Sequence, residues 1–82
     1  MTLTPAQCRG ARRLLRLSRE DLATAVDLSA IKLIAFEIGM LALSEPERRR
    51  LRSALELAGI EFDPARGARL KLASGRSGEL NR

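Results

Sequence analysis

The sequence predicts an all-α fold: a compact four- to five-helix bundle with a short C-terminal β-hairpin or strand. Three observations carry this reading. Apolar residues recur at helical spacing up to Ala58. A Ser or Thr stands before each periodic run, Pro5 and Pro46 fit first helical positions, and Gly39 and Gly59 mark ends. After Gly59 the pattern changes to alternation.

Thr4-Pro5 opens the first helix, over 5–15, with Cys8, Ala11, Leu14 and Leu15 inward and Arg9, Arg12, Arg13 and Arg16 between them. Ser18 caps a second helix, over 19–26, with Asp21 in the place a capping box gives to Glu. Leu22, Ala23 and Val26 supply its buried stripe, and Asp27-Leu28 breaks it. Ser29 caps a third helix, over 30–38, with Leu33, Phe36 and Glu37 on one side and Gly39 as its stop. Residues 39–45 form a loop. Ser44 and Pro46 open a fourth helix, over 46–58, with Leu51, Ala54, Leu55 and Ala58 inward. Ile60-Glu61-Phe62 and Arg69-Leu70-Lys71-Leu72 alternate around a turn at Asp63-Pro64-Ala65-Arg66-Gly67, which reads as a hairpin over about 60–72. Two strands alone are marginal in water, so this hairpin needs the helices or a second copy beside it. The domain is expected over 1–72, with 73–82, small and polar, as a disordered tail.

Composition narrows the function. The chain has 82 residues, 15 of them basic, of which 13 are Arg, and 10 acidic. It has no His, Trp or Tyr and one Cys. His-based catalysis is excluded, and nothing else supplies a base with the neighbours catalysis requires. A structural zinc site needs about four Cys or His ligands, so no metal and no cofactor is expected. No internal disulfide can form, and no apolar run approaches the roughly 20 residues of a membrane span. The opening residues lack a signal peptide's charged start and apolar core. A small cytoplasmic binding module is the expectation.

Charge is unevenly placed. Residues 1–19 carry five Arg and no acid, 20–63 are net −4, and 64–82 are net +4. Basic flanks suit a phosphate-bearing or otherwise acidic partner, although arginines on a small helical domain also serve solubility.

The middle of the chain is its specific part. Two short helices joined by a tight turn cross steeply, so a small residue belongs at the crossing, and Ala23 provides it; Leu28, Leu33 and Phe36 close the angle from the other side. The segments Ser18-Arg19-Glu20-Asp21-Leu22-Ala23, Leu28-Ser29 and Leu33-Ile34-Ala35-Phe36-Glu37-Ile38-Gly39 resemble the lambda-repressor-like helix-turn-helix regulators of the Xre or Cro type. That family's pattern is Ser-X-Glu-Glu-Leu-Ala, a break, hydrophobic-Ser, then Ile-X-X-Phe/Trp-Glu-X-Gly. The opening Leu3-Thr4-Pro5-Ala6-Gln7-Cys8-Arg9 and the segment from Leu51 to Phe62 are similar to short bacterial members. The resemblance covers about 3–72, with the helix-turn-helix at 18–38. It implies a DNA-binding transcriptional regulator, bound to duplex DNA as a dimer joined through the C-terminal strands. The third helix would lie in the major groove with Ser29, Ala30, Ile31, Lys32 and Ala35 at base edges. Arg19, at the start of the second helix, would meet phosphate, with Arg9, Arg13 and Arg16 beside it.

One departure matters. Only Ser29 and Lys32 among those reading positions can hydrogen-bond through a side chain, where family members carry Arg, Gln, Thr or Asn. Ile34, Ile38 and Ile31 fall about 100–160° around the helix from Leu33, away from the expected core. Met40 and Leu41 follow in the loop. Three readings stay open. The stripe packs on loop 39–45 or the tail; or it touches thymine methyls while Lys32 and the arginines hold phosphates; or the face binds a protein, using Ile31, Ile34, Ile38, Met40 and Leu41 in an inhibitor or co-regulator.

Other residues read more plainly. Arg48, Arg49, Arg50 and Arg52 sit within pairing distance of Glu45 and Glu56, as Glu45–Arg49 and Arg52–Glu56. Glu37 is expected to be structural, pairing with an Arg of the first helix. Cys8 reads as a small core residue; a redox role would need an exposed thiol.

Overall fold

A computed structural model of the protein describes residues 3–64 and 67–71. Its elements are α1 (Pro5–Leu14), α2 (Arg19–Ala25), α3 (Ala30–Glu37), α4 (Glu45–Leu57), β1 (Ile60–Asp63) and β2 (Gly67–Leu70). The described residues thus form four helices, not five, followed by an antiparallel hairpin. The tail expected over 73–82 lies outside them.

The helix ends are set by local chemistry. Thr4, Ser18, Ser29 and Ser44 each accept a hydrogen bond from the backbone N–H three residues on. At Thr4 and Ser44 the bond is returned by Gln7 and Glu47, completing capping boxes. At Ser18 only the first half forms, because the Asp21 side chain is one methylene shorter than Glu. The first three helices end alike. After α1, the Leu17 N–H reaches the Arg12 carbonyl and the Arg16 N–H that of Arg13. After α2, Leu28 and Asp27 do the same to Ala23 and Thr24; after α3, Met40 and Gly39 to Ala35 and Phe36. This ending needs a left-handed residue. Gly39 supplies it at φ 82°, but Arg16 and Asp27 adopt it at 58° and 59° without glycine's freedom.

The core gathers Leu3, Cys8, Ala11, Leu22, Ala23, Val26, Leu33, Phe36, Leu43, Leu51, Leu55 and Ile60. Two residues expected inward are not. Leu14 is 39% exposed, because the stripe runs Cys8, Ala11, Leu15 and Leu14 lies roughly 60° beyond it. Ala58 is exposed because α4 ends at Leu57, making Ala58 its cap. Loop 39–45 divides its apolar residues: Leu43 enters the core while Met40 and Leu41 stay outside.

The hairpin register pairs Ile60 with Leu70, Glu61 with Arg69, Phe62 with Ala68 and Asp63 with Gly67. Paired residues share a face. Ile60, Phe62 and Ala68 therefore turn to the helices, while Glu61 and Arg69 form an ion pair on the other face at 2.7 Å. α1 packs along β2 and α4 along β1, which is how a two-stranded sheet is held.

Candidate nucleic-acid interface

The site is built around α3. Its buried side is Leu33, Phe36 and Glu37. On its outer side the ridge is Ile31, Ala35 and Ile38, spaced i, i+4, i+7. Ile31 is 80% exposed and Met40, just beyond the helix, 79%. Ile38 and Leu41 are exposed as well. Ala30 and Ile34 are half-buried, and Ala30 packs against the core, so the outer face is narrower than the sequence suggests. Among the described residues loop 39–45 does not bury the stripe: Ile31, Ile38, Met40 and Leu41 stay exposed and Ile34 is half-buried, while that loop gives Leu43 to the core; packing of the stripe on the tail lies outside the described residues.

Two carboxylates hold cations against the two ends of α3. At its C-terminal end, Glu37 is fully buried. Arg12 grips it with both forks, Nε to Oε2 at 3.0 Å and Nη2 to Oε1 at 3.1 Å. Arg19 donates Nε to Oε1 at 3.2 Å, and the Cys8 thiol donates to Oε2 at 3.3 Å. Arg9 donates to the Glu37 main-chain carbonyl. Arg12 also donates to the Leu17 carbonyl, closing the turn between α1 and α2. One carboxylate therefore joins α1, the first residue of α2 and the end of α3. Burial pushes the Glu37 carboxyl up, but hydrogen bonds from Arg12, Cys8 and Arg19 with the charge of Arg12 outweigh it, and the net shift is down. The expected pairing of Glu37 with an arginine of α1 is present, and the arginine is Arg12. Burial first, then the Glu37 charge and hydrogen bond, push the Cys8 thiol up, which suits a core residue and not a reactive thiolate.

At the N-terminal end, Lys32 Nζ meets Glu47 Oε2 at 2.6 Å, a half-exposed pair. The hydrogen bond from Lys32 and the Ser44 N–H lower the Glu47 carboxyl to about 2. Lys32 is thus already paired, and the Ser29 hydroxyl already accepts from the Lys32 N–H.

Of the arginines expected at phosphate, Arg13 and Arg16 are exposed and make no ion pair or hydrogen bond through their side chains among the described residues. Arg19 is paired to Glu37 yet 38% exposed. Arg9 is half-buried and turned to the Glu37 carbonyl, so it is the least available of the four. On α4, Glu45 pairs with Arg48 and not with Arg49, while Arg52–Glu56 is as expected. The sequence placed the partner of Glu37 on the first helix without singling out Arg12, and it did not point to Glu47 as the partner of Lys32. The capping role of Glu47 was legible from Ser44-Glu45-Pro46-Glu47; its reach to a lysine on another helix was not. Among the described residues no side-chain cluster could hold a metal, and no helix is long and apolar enough to cross a membrane. The chain matches no protein-family model and no curated protein sequence.

Proposed function

We propose that this chain is a DNA-binding transcriptional regulator of the Xre/Cro type, binding duplex DNA with α3 in the major groove. The α2–α3 pair acts as the helix-turn-helix, with the four residues from Val26 to Ser29 as its turn. The Glu37 centre carries the reading. It draws Arg9, Arg12 and Arg19 to one end of α3 around a single carboxylate, which leaves a surplus of positive charge there. Arg13 and Arg16 add uncompensated charge on the same turn of chain. Backbone positioning by phosphate falls to Arg13, Arg16 and Arg19, and base contact to Ser29, Ile31, Lys32 and Ala35.

A dimer fits this function, because a two-fold protein reads a two-fold site. The hairpin offers a strand edge for it. The Lys71 N–H bonds the Gly59 carbonyl, so by antiparallel alternation Ala68 and Leu70 direct their backbone groups away from β1. The location follows the function and is cytoplasmic, at the nucleoid.

The test is selection of the purified protein against a random duplex pool, at low and physiological salt. A two-fold motif enriched at both supports a dimeric reader. Arg19→Ala should weaken all duplexes alike, and Lys32→Ala should lower sequence preference. Absence of any enrichment, or binding without salt dependence, overturns the reading.

A second reading has its own observation, the exposure of Ile31, Ile38, Met40 and Leu41 on one side of the molecule's middle. In it the outer face of α3, with Ile34 at its flank, binds a protein. Ile31→Asp should then abolish partner binding and leave folding intact, since this side chain touches little of its own core. Unchanged partner capture by Ile31→Asp removes this reading.

A further inference from the structure

Glu47 occupies an unusual position. Its Oε1 accepts the Ser44 N–H at 3.0 Å as part of the α4 capping box, and its Oε2 holds Lys32 at 2.6 Å. The box needs an acceptor at this position, and Gln serves as well as Glu. The negative charge is therefore surplus to capping. What the charge does is neutralise Lys32, the single cationic side chain on α3. Because the cap already fixes the Glu47 side chain, little further ordering is needed to form the pair. A phosphate approaching Lys32 also approaches Glu47 and is repelled. The lysine ammonium keeps two further N–H donors for a neutral acceptor such as a base edge.

We infer that Glu47 is a specificity-determining residue of the DNA-binding face: it cancels the phosphate attraction of Lys32 and holds its amine as an oriented hydrogen-bond donor. The inference rests on the duplex-binding reading above. On this view the protein divides its cations by role. Arg13, Arg16 and Arg19 attract any duplex, whereas Lys32 contributes to discrimination and hardly to attraction.

The experiment titrates the full chain against a short duplex of arbitrary sequence over a range of salt, as wild type, Glu47→Gln, Lys32→Ala and the double variant. Gln preserves both bonds of the capping box, and melting curves check that each variant is folded. Glu47→Gln should bind the arbitrary duplex several-fold more tightly at low salt, with a log–log salt slope steeper by about 0.9, the value of one added phosphate contact. Its motif from a random pool should be flatter than that of wild type. The double variant, which carries neither charge, should keep the wild-type slope, whereas Lys32→Ala alone leaves Glu47 uncompensated and should bind the arbitrary duplex more weakly.

A Glu47→Gln slope equal to wild type, with wild type bound, overturns the inference and leaves the duplex-binding reading standing. So does a slope reduced by about 0.9 in the double variant, since Lys32 would then have met a phosphate in spite of Glu47. Absence of salt-dependent binding by wild type overturns both.

Discussion

Glu37 and Glu47 each hold a cation against α3, at opposite ends and in opposite surroundings. Glu37 has no exposed surface and four donors from two other helices, three of them guanidinium N–H groups and one the Cys8 thiol. Glu47 lies at the rim, with one lysine and one backbone N–H. The difference is one of solvent. A buried carboxylate must keep its partners, because removing either side leaves an uncompensated charge in a poor dielectric. A rim pair exchanges its partner for water at small cost, so evolution can set it for binding without disturbing the fold. Burial thus separates a polar group that the fold depends on from one that function can adjust.

The largest loss is expected at Glu37. Glu37→Ala should cost about 3–5 kcal/mol in urea unfolding, because Arg12 stays largely buried without its partner. A domain of this length has roughly 4–12 kcal/mol in all, so the variant should be close to unfolded. A loss below about 1 kcal/mol would show that Glu37 is not structural. Next in size are the two faces of α3. Leu33→Ala should cost about 2–5 kcal/mol through the cavity it leaves. Ile31→Ala should stay within about 0.5 kcal/mol, as an exposed position does; a larger loss means that residue is part of the core.

A gain is expected at the end of α1. Arg16 holds the left-handed position that Gly39 holds after α3. Arg16→Gly should raise stability by about 1 kcal/mol, measured by thermal unfolding. It should also reduce the salt slope of duplex binding by about 0.9 if Arg16 meets a phosphate. Backbone strain kept at such a point is what a functional side chain would demand. Arg16→Gly with unchanged duplex binding would remove Arg16 from the interface.

The smallest effect is the response to acid. The carboxyls of Glu37 and Glu47 both titrate lower in the folded protein than the ordinary 4.5. Each therefore contributes stability above that pH and loses it as the pH falls through its folded value. For Glu47 the window runs from 4.5 down to about 2. The difference in melting temperature between wild type and Glu47→Gln should shrink across it. A difference that stays constant would show that the Lys32 pair contributes nothing to the fold.

Much of this was readable in the chain. Thr4, Ser18, Ser29 and Ser44 fix the helix starts because their hydroxyls bond locally, within three residues. Leu22, Ala23, Val26, Leu33, Phe36, Leu51 and Leu55 were legible as core because helical spacing aligns them. Leu14 was misread because it sits at a stripe's margin, where periodicity does not say which side a helix leans. Left-handed Arg16 was not legible, since arginine does not announce that conformation; at Asp27, a type that does adopt it, the break was legible and its left-handed form was not. Of the candidate site, the outward direction of Ile31 and Ile38 could be read, but not the inward packing of Ala30 or the turn of Arg9 toward Glu37.

The helices, their caps and the alternation of the hairpin are written locally in the chain, since each depends on neighbours a few residues away. Helical spacing also placed Glu37 on the inner side of α3. Which cations those carboxylates hold was set by the packing of the helices. Arg12 and Glu37 are 25 residues apart in the chain, and Lys32 and Glu47 are 15 apart. Contacts at such separations depend on how the helices lean on one another, which the packing of the whole core settles and no local pattern records.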